Sequence, residues 1–375
     1  MVRLRPRFRV PSGFLLGDTL FAVLLAALLG AAQAAAPLAL TVVSETPLGA
    51  TPSPATNVRF ASPTSIYLSR LYDGVTLTGL TGTPVAERQV MAGSKATGML
   101  SFERLAASAD YLVASSPYNT LAFRPVAGAP GNAYPLRRLT VGIIEALDLK
   151  GDDLLVLGIP ERFGPVAPTG ALVWIGSVSR VYAKTAKPVL IGVRGSGARH
   201  LDNCSGLALG AVRFLGDGSY LVVPGVEPGA ILYGPKGNVL RRWTSQEIGI
   251  DTDCTNLPDK QGDDFHKVKG ERFRFLNAHR VVDAILPLAA GPGVVVRSVA
   301  AGRVHWSLSL LGAGGVLSVE LPFTGALDER LRGDAAGNRI VFLKGPADFH
   351  PGSTYAGSTL IVADLSASAT TEGAP

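Results

Sequence analysis

The sequence predicts an all-β fold, a six-bladed β-propeller of four-stranded antiparallel blades closed by an N-terminal strand. Three observations carry this reading: one short apolar phrase recurs six times, small turn-forming residues introduce most copies, and the same order of strands surrounds each. The phrases are Ile66-Tyr67-Leu68, Tyr111-Leu112-Val113, Leu154-Leu155-Val156, Tyr220-Leu221-Val222, Val294-Val295-Val296 and Arg339-Ile340-Val341. Turns such as Ser108-Ala109-Asp110, Gly151-Asp152-Asp153, Gly216-Asp217-Gly218-Ser219 and Gly337-Asn338 precede them. Gly, Asn and Asp tolerate the backbone angles of tight hairpins, so each phrase is the second strand of a hairpin.

A first strand precedes each phrase, at Val58 to Phe60, Phe102 to Leu105, Glu145 to Leu149, Val212 to Leu215, Ala284 to Leu288 and Leu327 to Leu331. A third follows, at Val75 to Leu80, Thr120 to Phe123, Ala171 to Ile175, Ala230 to Tyr233, Val304 to Leu311 and Thr359 to Leu365. A fourth follows most third strands, at Val85 to Met91, Val189 to Val193, Val239 to Trp243 and Val316 to Leu321. Four antiparallel strands in six repeats is the arrangement of a propeller. With Tyr67, Tyr111, Leu154, Tyr220, Val294 and Ile340 as markers, the spacings are 44, 43, 66, 74 and 46 residues, so two repeats carry enlarged connections. A β-sandwich would not need the same four-strand order six times, and no stretch outside the leader shows a long apolar period of 3.6 residues with capping signals.

The sixth unit ends near Leu365 without a fourth strand, while Leu38 to Val43 is a strand without a hairpin partner. Pairing the two covers an open edge and closes the ring. One domain then spans residues 35–366, followed by a flexible tail at 367–375. The phrase Phe214 to Val223, continued by Ala230 to Trp243, resembles a blade of the bacterial six-bladed propellers related to NHL repeats and to gluconolactonase-type proteins. The resemblance implies the fold. Its functional implication is broad, because such propellers include lactonases, other hydrolases, sugar-binding modules and protein-binding platforms.

Residues 1–34 read as a signal peptide: Arg3, Arg5, Arg7 and Arg9 stand ahead of an apolar block from Leu20 to Leu29, and small residues follow at Ala31-Ala32-Gln33-Ala34. The block falls short of the ~20 residues of a stable span, so no stable membrane insertion is expected after cleavage. The mature chain is expected to be secreted or periplasmic, and monomeric. With 47% hydrophobic and 17% charged residues, 44 Gly and 26 Pro, the chain is folded and rich in turns, and disorder is excluded. The leader arginines, offset by Asp18, account for half of the formal charge of +6. What remains is too small a basic excess to point to nucleic acid.

In a propeller, the connections between second and third strands and those between blades emerge on one face. The enlargements fall on that face: residues 158–170 carry Arg162 and Phe163, residues 194–206 carry His200 and Asp202, residues 244–280 carry Phe265, His266, Arg272 and Phe273, and residues 345–358 carry Phe349, His350 and Tyr355. Arg and aromatic side chains supply much of the energy of protein contacts, so these form a candidate recognition set for a protein or glycan. Asp251, Asp253, Asp259, Asp263 and Asp264 offer oxygen ligands to Ca2+ or another divalent ion, with Asp251 and Asp253 leading. Their spacing is not that of an EF-hand, and a solvated loop explains the same charges, so no cofactor is the first expectation. The gluconolactonase likeness implies carboxylates around the channel mouth, for which Glu103, Glu145 and Asp202 are available without a motif joining them. Gly195-Ser196-Gly197 lacks both the nucleophile elbow and the dinucleotide fingerprint. The preferred function is non-catalytic binding of a protein or glycan through the enlarged face. The alternative is a metal-dependent lactonase or related hydrolase.

Cys204 and Cys254 are an even pair in an exported chain, and each precedes the first strand of a blade, which places them in neighbouring loops. A bond between them is expected to contribute roughly 4 kcal/mol by restricting the unfolded chain. Thiol titration of native, non-reduced protein should find neither group; two reactive thiols would refute the pairing.

Overall fold

A computed structural model describes residues 38–80, 88–116, 118–126, 136–160, 171–182, 193–194, 210–224, 229–251, 273–349 and 353–367. Contacts gather Ala39–Ser366 into one unit; a second, of Met1–Leu38 and Ala367–Pro375, contains only two described residues. Blade 1 is β2 (Ala55–Ser62), β3 (Ser65–Arg70), β4 (Gly74–Gly79) and β5 (Arg88–Met91), after the leading strand β1 (Leu38–Pro47). Blade 2 begins with β6 (Arg104–Ala107), β7 (Tyr111–Ser115) and β8 (Tyr118–Pro125). The long β9 (Leu136–Lys150) then serves two blades: Leu136 and Arg137 pair with Ala122 and Leu121 of β8, whereas Leu147 and Asp148 pair with Val156 and Leu155 of β10 (Asp153–Pro160). Blade 3 is completed by β11 (Ala171–Ser177) and the two-residue β12 (Val193–Arg194). Sequence reasoning placed no fourth strand in blade 2, because no Gly-Asn or Gly-Asp turn divides β9 into its two halves.

Blade 4 is β13 (Ala211–Phe214), β14 (Tyr220–Val223), β15 (Ala230–Tyr233) and β16 (Val239–Trp243). Blade 5 is β17 (Val281–Leu288), β18 (Gly291–Ala300), β19 (Arg303–Gly312) and β20 (Gly315–Gly325). Blade 6 is β21 (Glu329–Ala336), β22 (Arg339–Pro346) and β23 (Thr359–Ala367), and β1 pairs with β23 as its fourth strand. The inner strands β2, β6, β9, β13, β17 and β21 touch in that order, and β21 returns to β2, so the ring is closed. Among the short helices in the connections are α1 (Ser94–Thr97), α2 (Val178–Tyr182) and α3 (Ser245–Ile248). Thr244 accepts from the Glu247 amide and Glu247 reaches back to Thr244, a capping box that starts α3 after β16. Among the described residues no helix is long and apolar enough to cross a membrane.

The core is distributed over the junctions between blades, because each sheet has two faces and each face meets a neighbour. Val75 and Met91 of blade 1 pack on Leu105, Leu112 and Ala114 of blade 2, and Phe123 of blade 2 packs with Leu147, Leu149 and Val156 of blade 3. Leu155 and Val173 meet Val212, Phe214 and Val222; Leu221 and Val223 meet Val282, Ile285 and Val294. Trp306 and Phe323 of blade 5 meet Phe342 of blade 6. Val341, Leu343 and Leu360 of blade 6 close the circle on Val58, Ile66 and Leu68 of blade 1. Each such side chain contributes ~1.5–3 kcal/mol when fully buried. Gly74 is needed at the turn into β4: its φ is +88°, and a Cβ there would lie 2.2 Å from the Met91 carbonyl oxygen.

Because β1 covers the β23 edge, it completes blade 6 from the other end of the chain. A chain lacking residues 38–47 is expected to unfold at a lower temperature than the intact mature protein. An unchanged melting temperature would show that β1 is dispensable for closure.

Candidate functional site

The inner strand of each blade has no partner on its channel side, so its outward-facing amides need another acceptor. Three aspartates meet that need between neighbouring blades. Asp148 of β9 accepts from the Phe214 amide of β13 at 2.8 Å, Asp283 of β17 from the Leu331 amide of β21 at 2.8 Å, and Asp334 of β21 from the Phe60 amide of β2 at 2.8 Å. Guanidinium groups also bridge blades: Arg330 donates to the Val282 carbonyl at 2.9 Å and Arg59 to the Gly333 carbonyl at 3.1 Å, each on the preceding blade of the ring, and Arg104 to the Glu145 carbonyl of the following one at 2.6 Å.

Arg213 joins two of these clamps across the channel. Its Nη1 lies 3.2 Å from Asp148 Oδ1 and its Nη2 hydrogen-bonds Asp334, which ties blades 3, 4 and 6 together. Burial works against the Arg213 cation, but the two carboxylates outweigh it and raise its pKa. Burial also pushes the Asp148 carboxyl up, against the pull of Arg213, Arg59 and the Phe214 amide. Asp283 is saturated: besides the Leu331 amide it accepts from Arg330 Nε at 2.6 Å and from the Trp306 indole at 2.7 Å.

Above this cluster lies a cavity of about 120 Å³ lined from all six inner strands. Its wall includes Gly210, just before β13, and Ala347 and Asp348, just after β22. Residues that lead into inner strands or leave second strands sit on the face of the enlarged connections, so the cavity opens there. The Arg213–Asp148–Asp334 cluster is further along the strands, toward their hairpins, a floor that spans the channel beneath the cavity without lining it. Arg59, Arg104, Arg330 and Arg332 line the wall with Glu103, Glu145, Asp283 and Asp348. Arg104 has Glu103 at 3.6 Å and Arg330 has Asp283. Arg332 differs, since its guanidinium carbon lies 5.3 Å from the Phe349 ring centroid and its Nη1, closed off from solvent, has no hydrogen-bond partner. Desolvation, reinforced by Arg330 and Arg104, pulls the Arg332 pKa down to about 9. Glu145 is 9% exposed, and its carboxylate has no polar partner among the described residues.

Of the recognition set read from the sequence, Phe349 and Tyr355 come together, with ring centroids 5.8 Å apart, beside Arg332 at the cavity mouth. Tyr355 is also bridged to Thr51. Phe273 is exposed at the start of a short helix, 273–278. Arg162, Phe163, His200, Asp202, Phe265, His266, Arg272 and His350 lie outside the described residues, as do Asp253, Cys204 and Cys254. Asp251 is exposed and clamps the base of the long connection: it accepts from the Arg280 amide and pairs with the Arg280 side chain at 3.6 Å. Glu103 and Glu145 both line the cavity. Among the described residues no three His, Cys, Asp or Glu side chains converge as metal ligands.

Sequence reasoning missed Arg59, Asp148, Arg213, Asp283, Arg330, Arg332 and Asp334. A signal was present: Val58-Arg59-Phe60 and Val212-Arg213-Phe214 repeat one triplet at the same place in two inner strands, and both Phe amides are clamped by Asp. A second support residue was also overlooked. Arg297, fully buried in β18, donates to the carbonyls of Leu276, Leu327 and Glu329 and to Asn277 Oδ1, and so fixes the segments leading into blades 5 and 6.

No protein-family model matches the sequence, and no curated protein matches it. The fold is similar to that of a DUF4221-family protein from Bacteroides vulgatus, with TM-score 0.49 and 7% identity over 88% of this chain and 99% of that one. It is also similar to the Myceliophteria thermophila Cps50 (Swd1) β-propeller domain, with TM-score 0.44 and 10% identity over 88% and 100% of the two chains. The WD40 β-propeller domain of Doa1 gives TM-score 0.42 and 9% identity over 87% and 97%. Likenesses of this degree carry no functional inference.

The two kinds of buried arginine should respond oppositely to neutralisation. Arg213→Met leaves Asp148 and Asp334 without their shared cation and is expected to cost about 3–5 kcal/mol. Arg332→Met removes a group that is already unpartnered and is expected to leave the unfolding free energy unchanged or raised. Denaturant unfolding of both variants checks the contrast; equal destabilisation would refute it.

Proposed function

We propose that the mature chain is an exported, non-catalytic recognition module that takes a protein partner at the loop-bearing mouth of its channel. The observation that carries this is the pairing of Arg332 with Phe349 at the rim of a cavity whose other charges are largely committed to the scaffold. Guanidinium and aromatic groups held in place before binding lose little entropy on contact, which suits recognition. Catalysis by paired carboxylates needs two groups free to accept and return a proton; Asp283 is bound by three donors and Glu103 pairs with Arg104, which leaves Glu145 without a free second carboxylate established beside it. The gluconolactonase-like alternative would gather a divalent ion at the same mouth. Four guanidinium groups interleave with the carboxylates there, and their charge opposes a divalent cation. Between protein and glycan, the Phe349 ring favours protein: one side is covered by Arg332 and Tyr355 stands against it at 66°, which leaves a poor platform for a sugar ring.

The test is to probe purified mature protein with a peptide array and a glycan array, alongside metal analysis and a lactone and ester panel. Peptide binding that weakens in Phe349→Ala is expected. A stoichiometric divalent ion with metal-dependent turnover, or binding confined to glycans, would overturn the reading.

A further inference from the structure

Resting on that reading, the shape and charge of the cavity identify what part of a partner it takes. Arg213, Asp148 and Asp334 bridge blades 3, 4 and 6 beneath the cavity, where their side chains stand in the way of a chain threading the channel. A cavity of about 120 Å³ that opens on the loop-bearing face suits a chain end. Two ionisable groups in its wall lack partners, and they belong to opposite blades. The Arg332 guanidinium of blade 6 lines the cavity and makes no hydrogen bond among the described residues, and Glu145 of blade 3 is nine-tenths buried with no polar partner for its carboxylate among them. An unpaired buried charge is costly, and each of these is relieved by a ligand group of opposite sign.

We infer that the cavity receives the C-terminal residue of a peptide when that residue is basic, its α-carboxylate meeting Arg332 and its side-chain cation meeting Glu145. The carboxylate accepts from the guanidinium in a charge-assisted hydrogen bond, which is stronger than a neutral one. Phe349 holds the plane of Arg332 from outside, so little side-chain freedom is lost when the ligand arrives. A doubly charged anion such as phosphate suits the pit less well, since it would place excess negative charge near Glu145. The same chemistry is carried by free lysine, and separate titrations distinguish the two sources.

Fluorescence anisotropy with labelled hexapeptides ending in lysine, either as the free acid or as the amide, tests this directly on the wild-type mature protein. The free acid should bind, and amidation should weaken binding roughly tenfold or more, as loss of one charge-assisted bond implies. Replacing the terminal Lys by Leu should weaken it similarly. In Arg332→Gln the acid and the amide should become equivalent, and in Glu145→Gln the Lys and Leu peptides should. Equal binding of acid and amide by the wild type would overturn the inference whether or not the variants fold. So would a preference for peptides with an acidic N-terminal residue, or displacement of the acid by free lysine at equal affinity. Array peptides that bind through Phe349 regardless of their C-terminus would sink this inference and leave the recognition reading standing. Absence of any peptide binding would sink both.

Discussion

The open edge of the inner strand is the constraint on which this structure depends. Each blade has one strand facing the channel, where its main-chain amides have no neighbouring strand to pair with. The chain solves this at three junctions by placing an aspartate on one inner strand where it accepts a main-chain N–H of the next. A carboxylate in that position brings its own difficulty, because a buried negative charge needs a counter-ion. Arg213 and Arg330 supply it, and both side chains are themselves largely buried. Backbone satisfaction thus leads to aspartate, aspartate leads to arginine, and arginine fills the channel.

Geometry follows from that sequence of needs. Arg213 reaches from blade 4 to carboxylates on blades 3 and 6, so the floor holds together blades that share no sheet. Buried ion pairs of this kind contribute little net stability compared with an apolar core of equal volume, but breaking one leaves an exposed penalty. They act here to define register around the ring, while Leu, Val and Phe at the six junctions hold it closed. The floor spans the channel beneath the cavity, which opens on the loop-bearing face.

The fold was legible because hairpins repeat. Gly337-Asn338 and the Asp217-Gly218 turn announce their strands, and the apolar second strands are buried in every blade, from Leu68 to Val341. What was not legible was the inner strand of blade 6. Reading it as Leu327 to Leu331 stopped it short of Arg332 and Asp334, because alternating charge looks like a solvated surface. In a propeller the innermost strand reverses that rule: its polar side chains face a shared interior where other polar side chains meet them. Glu103 and Glu145 were visible as candidates, yet nothing local distinguishes Glu145, with no carboxylate partner among the described residues, from Asp148 three residues later, which is clamped. That difference arises from blades distant in sequence.

Arg332 shows how the same logic separates scaffold from site. Arg213, Arg330 and Arg332 are chemically identical and lie in one channel, but the first two each complete a carboxylate that a neighbouring amide requires. Arg332 completes nothing in the scaffold. Its charge is held in place by an aromatic ring and is crowded by Arg330 and Arg104, against the weaker pull of Asp283 and Glu103. A buried polar group that the fold does not need is a cost that the ring carries on its own, and a ligand with opposite charge removes it. On the proposed reading, a ligand at this mouth completes a network that the scaffold leaves open, and its selectivity derives from the groups left unpaired there.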